Sequence, residues 1–242
     1  MTHVVRCRGA ALVVPAAAAI SGRSAACLYG CEVRDADAPV EVTIDGQIRS
    51  RVGLAVRRAE LLSSDVASVS GLNVTSPVRT AFDLARSRGC LDEAVVAVDA
   101  LVNRCGLAMQ EVATYAAARL GWAGSRQARE VLGLVALGAE SPMETRLRLI
   151  LVRAGLPVPV LQHRVHDENG AVVARLDLAY VERRLGIEYD GATHFDARAA
   201  RRDLRRQNTL RSLGWSLFRF NADDVLGHAD RLAAEVRSAF RM

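Results

Sequence analysis

The stretch Ile187-Glu188-Tyr189-Asp190-Gly191 constrains this chain more than any other. Apolar Ile187 and Tyr189 alternate with the carboxylates of Glu188 and Asp190, the period-two pattern of a strand, so both acids point the same way. Gly191 then permits a turn that presents His194. Arg175-Leu176-Asp177-Leu178 reads as a second strand, and Asp177 precedes Glu188 by about the distance of a hairpin partner. Carboxylates gathered in this way repel one another unless something positive lies between them. A hard divalent cation, magnesium or manganese, takes oxygen ligands and magnesium keeps several waters, so Asp177 and Glu188 are the candidate metal ligands. The alternative is a pair of exposed strand residues making surface ion pairs with Arg175 or Arg183. Leu176, Leu178 and Ile187 favour central strands instead. Asp190 reads equally as a ligand or base orienter and as a turn-forming residue before Gly191.

The 242 residues, 50% of them hydrophobic and 24% charged, suffice for one large domain or two small ones, each with its own core. The net charge of +5 is uneven. Residues 141–242 hold 17 arginines against 13 acids, and residues 1–140 hold 15 against 14. A basic C-terminal part beside an acidic cluster suits a polyanionic substrate such as DNA over a metal-filled site. No lysine occurs, which excludes any mechanism that needs one. The five cysteines are odd in number, and no histidine stands near Cys27 and Cys31 to complete a zinc site, so they read as small buried residues of a cytoplasmic protein. Arg6 and Arg8 before the apolar run Gly9–Ile20 resemble a signal peptide, but Pro15 and the many alanines argue against export. No run reaches the ~18 apolar residues of a membrane helix.

In chain order, Leu12–Pro15 reads as a strand leading into a helix over Ala16–Leu28, weakened at Ser21-Gly22. Val40–Ile44 and Val52–Val56 read as strands. Ser76-Pro77 opens a helix through Ala85, and Leu91–Asn103, Ala108–Leu120 and Ser125–Leu137 read as three more. Residues 1–140 thus form a small α+β module without a cluster that looks like chemistry. Residues 141–242 begin with Ser141-Pro142-Met143-Glu144, whose helix carries the apolar stripe Met143, Leu147, Ile150 and Leu151. Strands ending at Val165, over Ala171–Tyr180 and over Ile187–Asp190 follow. An arginine-rich helix Asp196–Leu213, a strand Trp215–Phe220 and a last helix capped by Asn221 complete the order, predicting an α/β mixed sheet flanked by helices.

That order, with Glu144, Asp177, Glu188-Tyr189-Asp190-Gly191, His194, Arg202-Asp203, Asn208, Leu213-Gly214-Trp215 and Leu217-Phe218-Arg219-Phe220 in their places, resembles the PD-(D/E)XK nuclease superfamily over about residues 141–240. It is most similar to the Vsr-like branch. The resemblance implies a restriction-endonuclease-like fold and a magnesium-dependent endonuclease acting on DNA, in repair or phage defence. Residues 16–120, with Ser21-Gly22-Arg23-Ser24-Ala25 and Val74-Thr75-Ser76-Pro77-Val78-Arg79-Thr80-Ala81, resemble the region accompanying abortive-infection antitoxins, which implies a toxin–antitoxin partner. The winged helix usually placed before that region is not recognisable, so the chain is expected to begin inside the family pattern. The superfamily lysine two residues after Glu188 is Asp190 here. The Vsr-like branch likewise dispenses with that lysine and places histidine nearby, so His194 is the candidate for polarising the water or leaving group, with an ordinary pKa of about 6.5.

Glu144 is a candidate catalytic residue, but Ser-x-x-Glu is also a capping box, which explains it without catalysis. At about 100° per residue along the arginine-rich helix, Asp203, Arg206, Gln207 and Leu210 share one face, and Arg198, Arg201, Arg202 and Arg205 the opposite one. The first set is expected to face the sheet. Arg198, Arg201, Arg202, Arg205 and Arg206 are the candidate DNA-binding residues, since Arg grips phosphate bidentately; the alternative is a solvated basic face. Tyr189, Trp215, Phe218 and Phe220 read as core, not as a base-stacking platform. Three functions compete: a metal-dependent DNA endonuclease, a non-catalytic DNA-binding or antitoxin-like regulator retaining a nuclease fold, and a toxin–antitoxin component acting by protein contact.

Overall fold

The computed structural model describes residues 2–32, 37–47, 51–191 and 197–240, with the side chains of 197–200 outside the description. The chain divides into two compact units, Met1–Val135 and Ala136–Met242. Each contains a mixed sheet with helices against it. Among the described residues, no helix is long and apolar enough to cross a membrane.

The first unit runs α1 (His3–Ala11), β1 (Ala19–Ile20), α2 (Gly22–Leu28), β2 (Val40–Ile44), β3 (Leu54–Arg58), β4 (Val66–Val69), β5 (Leu72–Thr75), α3 (Pro77–Ala85), α4 (Leu91–Cys105), α5 (Met109–Ala117) and α6 (Ser125–Leu132). Its sheet order is β3-β2-β1-β5-β4, with β1/β5 and β2/β3 parallel and the other pairs antiparallel. Ile20, Val40, Val42, Ile44 and Val74 are buried at its core. The N-terminus corrects the sequence reading. Residues to which the sequence assigned no element form α1, capped by Thr2; the predicted strand Leu12–Pro15 does not form, and the predicted helix Ala16–Leu28 is replaced by a short strand and a helix. Gly22 is the reason: its φ is +54°, and the Glu41 carboxylate occupies the space its Cβ would need. The hairpin β4–β5, unmarked by strong alternation, turns at Ser70-Gly71, both at positive φ. The cysteines also depart from expectation, since Cys7 alone is fully buried, Cys90 is exposed, and all five are free thiols.

This unit holds a charge network that sequence reading passed over. Ser76 caps α3, which places Arg79 wholly inside the protein. Its guanidinium donates to Asp83 (2.9 Å), Asp65 (2.7 Å) and the carbonyl of Glu60 (2.9 Å). Arg57 and Arg86 also pair with Asp83, and the Tyr115 hydroxyl donates to Asp65 at 2.7 Å. The guanidiniums of Arg79, Arg86 and Arg119 lie 5.0–5.5 Å from the centre of the Trp122 ring.

The second unit runs α7 (Pro142–Arg153), β6 (Val160–His166), β7 (Val172–Tyr180), β8 (Leu185–Tyr189), α8 (Ala197–Ser212), β9 (Ser216–Phe220), α9 (Ala222–Gly227) and α10 (Ala229–Phe240). The sheet order is β6-β7-β8-β9; β8/β9 is parallel and the other pairs are antiparallel. Leu147 and Leu151 of α7 pack with Leu178, Ile187, Phe220 and with Leu232 and Val236 of α10. Leu210 of α8 packs with Val165, Ala174, Leu176 and Ala179 in a second cluster. Gly214, at φ +78°, ends α8, and the Trp215 N–H closes on the carbonyl of Leu210. The last predicted helix is two, broken at His228, because the Asn221–Asp224 capping box starts a six-residue helix.

Candidate functional site

The site sits on the two central strands. The β7/β8 register pairs Leu178 with Ile187, and the next position along brings Asp177 beside Glu188. The Tyr189 N–H donates to the Asp177 carboxylate at 2.9 Å, pinning it against β8. Burial pushes the Asp177 carboxyl up to about 6; that N–H bond and Arg175 oppose the rise, while the charges of Glu144 and Glu188 add to it. Glu144 and Glu188 are buried, at 7% and 8% exposure. Three acids from α7, β7 and β8 therefore converge electrostatically.

Glu188 is gripped by cations of this chain. Arg206 of α8 places its two terminal nitrogens 2.6 and 2.8 Å from the two Glu188 oxygens. Arg219 is the register partner of Glu188 on β9 and lies 3.3 Å from it. Asp203 closes the ring, accepting from Arg206, Arg219 and Gln207. The hydrogen bonds from Arg219, helped by Arg206 and opposed by burial, pull the Asp203 carboxyl down to about 2. Two carboxylates and two guanidiniums thus balance in charge.

Glu144 fulfils half of a capping box. Its N–H donates to Ser141 Oγ at 3.2 Å, but its carboxylate reaches past the cap residue to the Glu140 N–H (2.9 Å) and to Gln162 Nε2 (2.8 Å). Gln162 lies within β6 at φ +51°, a conformation that costs a non-glycine residue free energy. Leu161 pairs with Leu178 and His163 with Leu176, so Gln162 faces Asp177 across the strands. Leu178 packs toward α7 and Leu176 toward α8, although they are two residues apart. Strict alternation would put them on one face, so the strand reverses its facing here while its one-to-one register with β6 is kept.

Of the other predicted residues, Asp190 is exposed, and its N–H donates to the carbonyl of Phe220. His194 lies outside the described residues, and so does the side chain of Arg198. Arg201, Arg202 and Arg205 are exposed on α8, while Asp203, Arg206 and Gln207 are half-buried and Leu210 buried, the division the helical angles predict. Arg206, also a candidate for DNA binding, has its guanidinium on Glu188 and Asp203. Sequence reading missed Gln162 and the role of Arg219. A lone arginine between Phe218 and Phe220, beside the strand that carries Glu188, was the available signal.

The residues that would hold a divalent cation, Asp177 and Glu188, do not form a closed cage. Among the described residues, no three of His, Cys, Asp and Glu form a ready metal cluster. The donor set is nevertheless oxygen, and the buried Oε1 of Gln162 has no hydrogen-bond partner among the described residues.

Comparison with known proteins adds the family context. Residues 10–134 match the AbiEi antitoxin C-terminal domain, and residues 160–240 match the nuclease-like REase_MTES_1575 domain. Two Mycobacterium tuberculosis proteins, uncharacterized protein MT2308 of strain CDC 1551 / Oshkosh and uncharacterized protein Rv2248 of strain ATCC 25618 / H37Rv, are each 32% identical over 214 residues. The alignment covers 88% of this chain and 78% of theirs. No solved structure matches significantly. The mixed sheet flanked by helices is consistent with a restriction-endonuclease-like C-terminal domain.

Proposed function

Since this chain belongs to the family of the AbiEi antitoxin C-terminal domain and follows it with a nuclease-like domain, we propose that it is a metal-dependent DNA endonuclease of the Vsr-like kind, working in a toxin–antitoxin or phage-defence setting. One observation carries the reading: Asp177 and Glu188 stand side by side on central strands, with Glu144 close enough to raise the Asp177 carboxyl. A divalent cation such as magnesium or manganese would supply an acidified water and neutralise charge on the phosphate. Asp177 and Glu188 would hold the ion, and the Tyr189 N–H fixes the Asp177 carboxylate. Arg206 and Arg219 hold Glu188 in place and supply the cationic neighbourhood that a lysine gives in other members of the superfamily. Arg201, Arg202 and Arg205 present an exposed face for backbone phosphates, and His194 donates or accepts the proton at the scissile bond.

A second reading has its own support. The antitoxin-like match covers about half of the chain, and both oxygens of Glu188 are taken by arginine. On that reading the chain is a regulator that binds DNA without cutting it. Plasmid, nicked duplex and single-stranded DNA incubated with the purified chain, with and without magnesium or manganese, separate the two. The endonuclease cuts only with metal; the regulator shifts DNA mobility and leaves every substrate whole.

A further inference from the structure

We propose that Gln162 belongs to this site as a neutral oxygen donor, presenting Oε1 to the divalent cation or to one of its waters; the proposal rests on the endonuclease reading above. Four observations point to it. Gln162 faces Asp177 across the β6/β7 pair. Its backbone is held at φ +51°, which no feature of an ordinary edge strand requires. Its Nε2 donates to Glu144 Oε2, which also accepts from the Glu140 N–H. An oxygen that accepts from two N–H groups dictates that the amide nitrogen faces it, so Oε1 is turned away from Glu144. That Oε1 is buried and has no hydrogen-bond partner among the described residues. A buried amide oxygen is rarely left so, because the loss of water goes uncompensated.

These facts form one device. Glu144 holds the amide nitrogen of Gln162, the positive φ sets the course of the side chain, and the spare oxygen belongs to the residue that stands opposite Asp177 in the β6/β7 ladder. An amide oxygen suits magnesium or manganese and adds no negative charge to a site already holding three acids. Glu144 then acts as the positioning residue of this pair.

The test is manganese binding to the purified, metal-free full chain, followed by calorimetry and by the loss of the free-ion electron paramagnetic resonance signal. Gln162→Gly removes the whole side chain, including its hydrogen bond to Glu144, while relieving the strain of the positive φ; Asp177→Asn is the comparison, and melting of the metal-free proteins checks folding. The expected result is binding by the wild type, loss of binding in Asp177→Asn, and affinity about tenfold or more weaker in Gln162→Gly, with its metal-free melting close to wild type. Wild-type affinity in Gln162→Gly beside lost binding in Asp177→Asn overturns this proposal alone. No manganese binding by the wild type overturns it together with the metal reading of the site.

Discussion

Arg206 and Glu188 meet as a bidentate pair, at 2.6 and 2.8 Å, with the glutamate side chain 11% and the arginine 26% exposed. Glu188 is thus a buried acid whose charge is balanced before any substrate arrives. Arg206→Ala leaves it with Arg219 alone, at a cost of about 2–3 kcal/mol. Arg206→Lys keeps the charge but not the fork, and costs about 1 kcal/mol. Urea unfolding measures both; equal stability of all three proteins would show that the pair is too solvated to matter.

Asp203 gives the network a pH signature. Its folded pKa, about 2, lies below the ordinary 3.8, so its stabilising contribution is complete above about 3.8 and disappears as pH falls through 2. The side chain is 33% exposed, and solvent screening reduces the contribution to about 1 kcal/mol. Asp203→Asn is therefore expected to be less stable than wild type at pH 7 and to converge with it near pH 2. A stability difference that does not change with pH, followed by denaturant melts across that range, would contradict this.

The exposed arginine face makes a prediction about salt. Replacing Arg201, Arg202 and Arg205 together by alanine is expected to lower the slope of log K against log salt for duplex DNA by about 2–3, since each phosphate contact contributes about 0.9. The melting temperature should stay within a degree or two, because none of the three is buried. An unchanged slope in fluorescence anisotropy titrations would remove α8 from the DNA interface.

In the first unit, Arg79 is the residue whose loss matters most. It is fully buried between Asp65 and Asp83, so Arg79→Ala leaves carboxylates inside without their central cation. The expected cost is about 3–5 kcal/mol, enough to unfold a marginal domain. Thermal melting and yield of soluble protein check this, with the exposed Arg126→Ala as the harmless comparison.

How much of this was legible in the sequence follows from which interactions are local. Alternation placed Asp177 and Glu188 on adjacent strands, and helical angles separated the two faces of α8, because both depend only on period. Ser76-Pro77 and Ser141-Pro142 announced their helices for the same reason. The grip of Arg206 and Arg219 on Glu188 was not legible, because it joins three elements through register and side-chain reach. Gln162 was hidden more deeply, since nothing in its neighbours predicts a positive φ. The Arg79 network was passed over because its partners Asp65, Asp83 and Tyr115 lie far apart in sequence and meet only in the fold.

Metal-dependent DNA cleavage by the carboxylate pair is the most direct measurement. Supercoiled plasmid is incubated with wild type, Asp177→Asn and Glu188→Gln, each with magnesium, with manganese and with chelator. The predicted result is nicked or linear product from the wild type only when metal is present, and at least a hundredfold slower cleavage by either variant, about 3 kcal/mol in the barrier. Intact plasmid with folded wild type, or cleavage by Glu188→Gln at the wild-type rate, would contradict it.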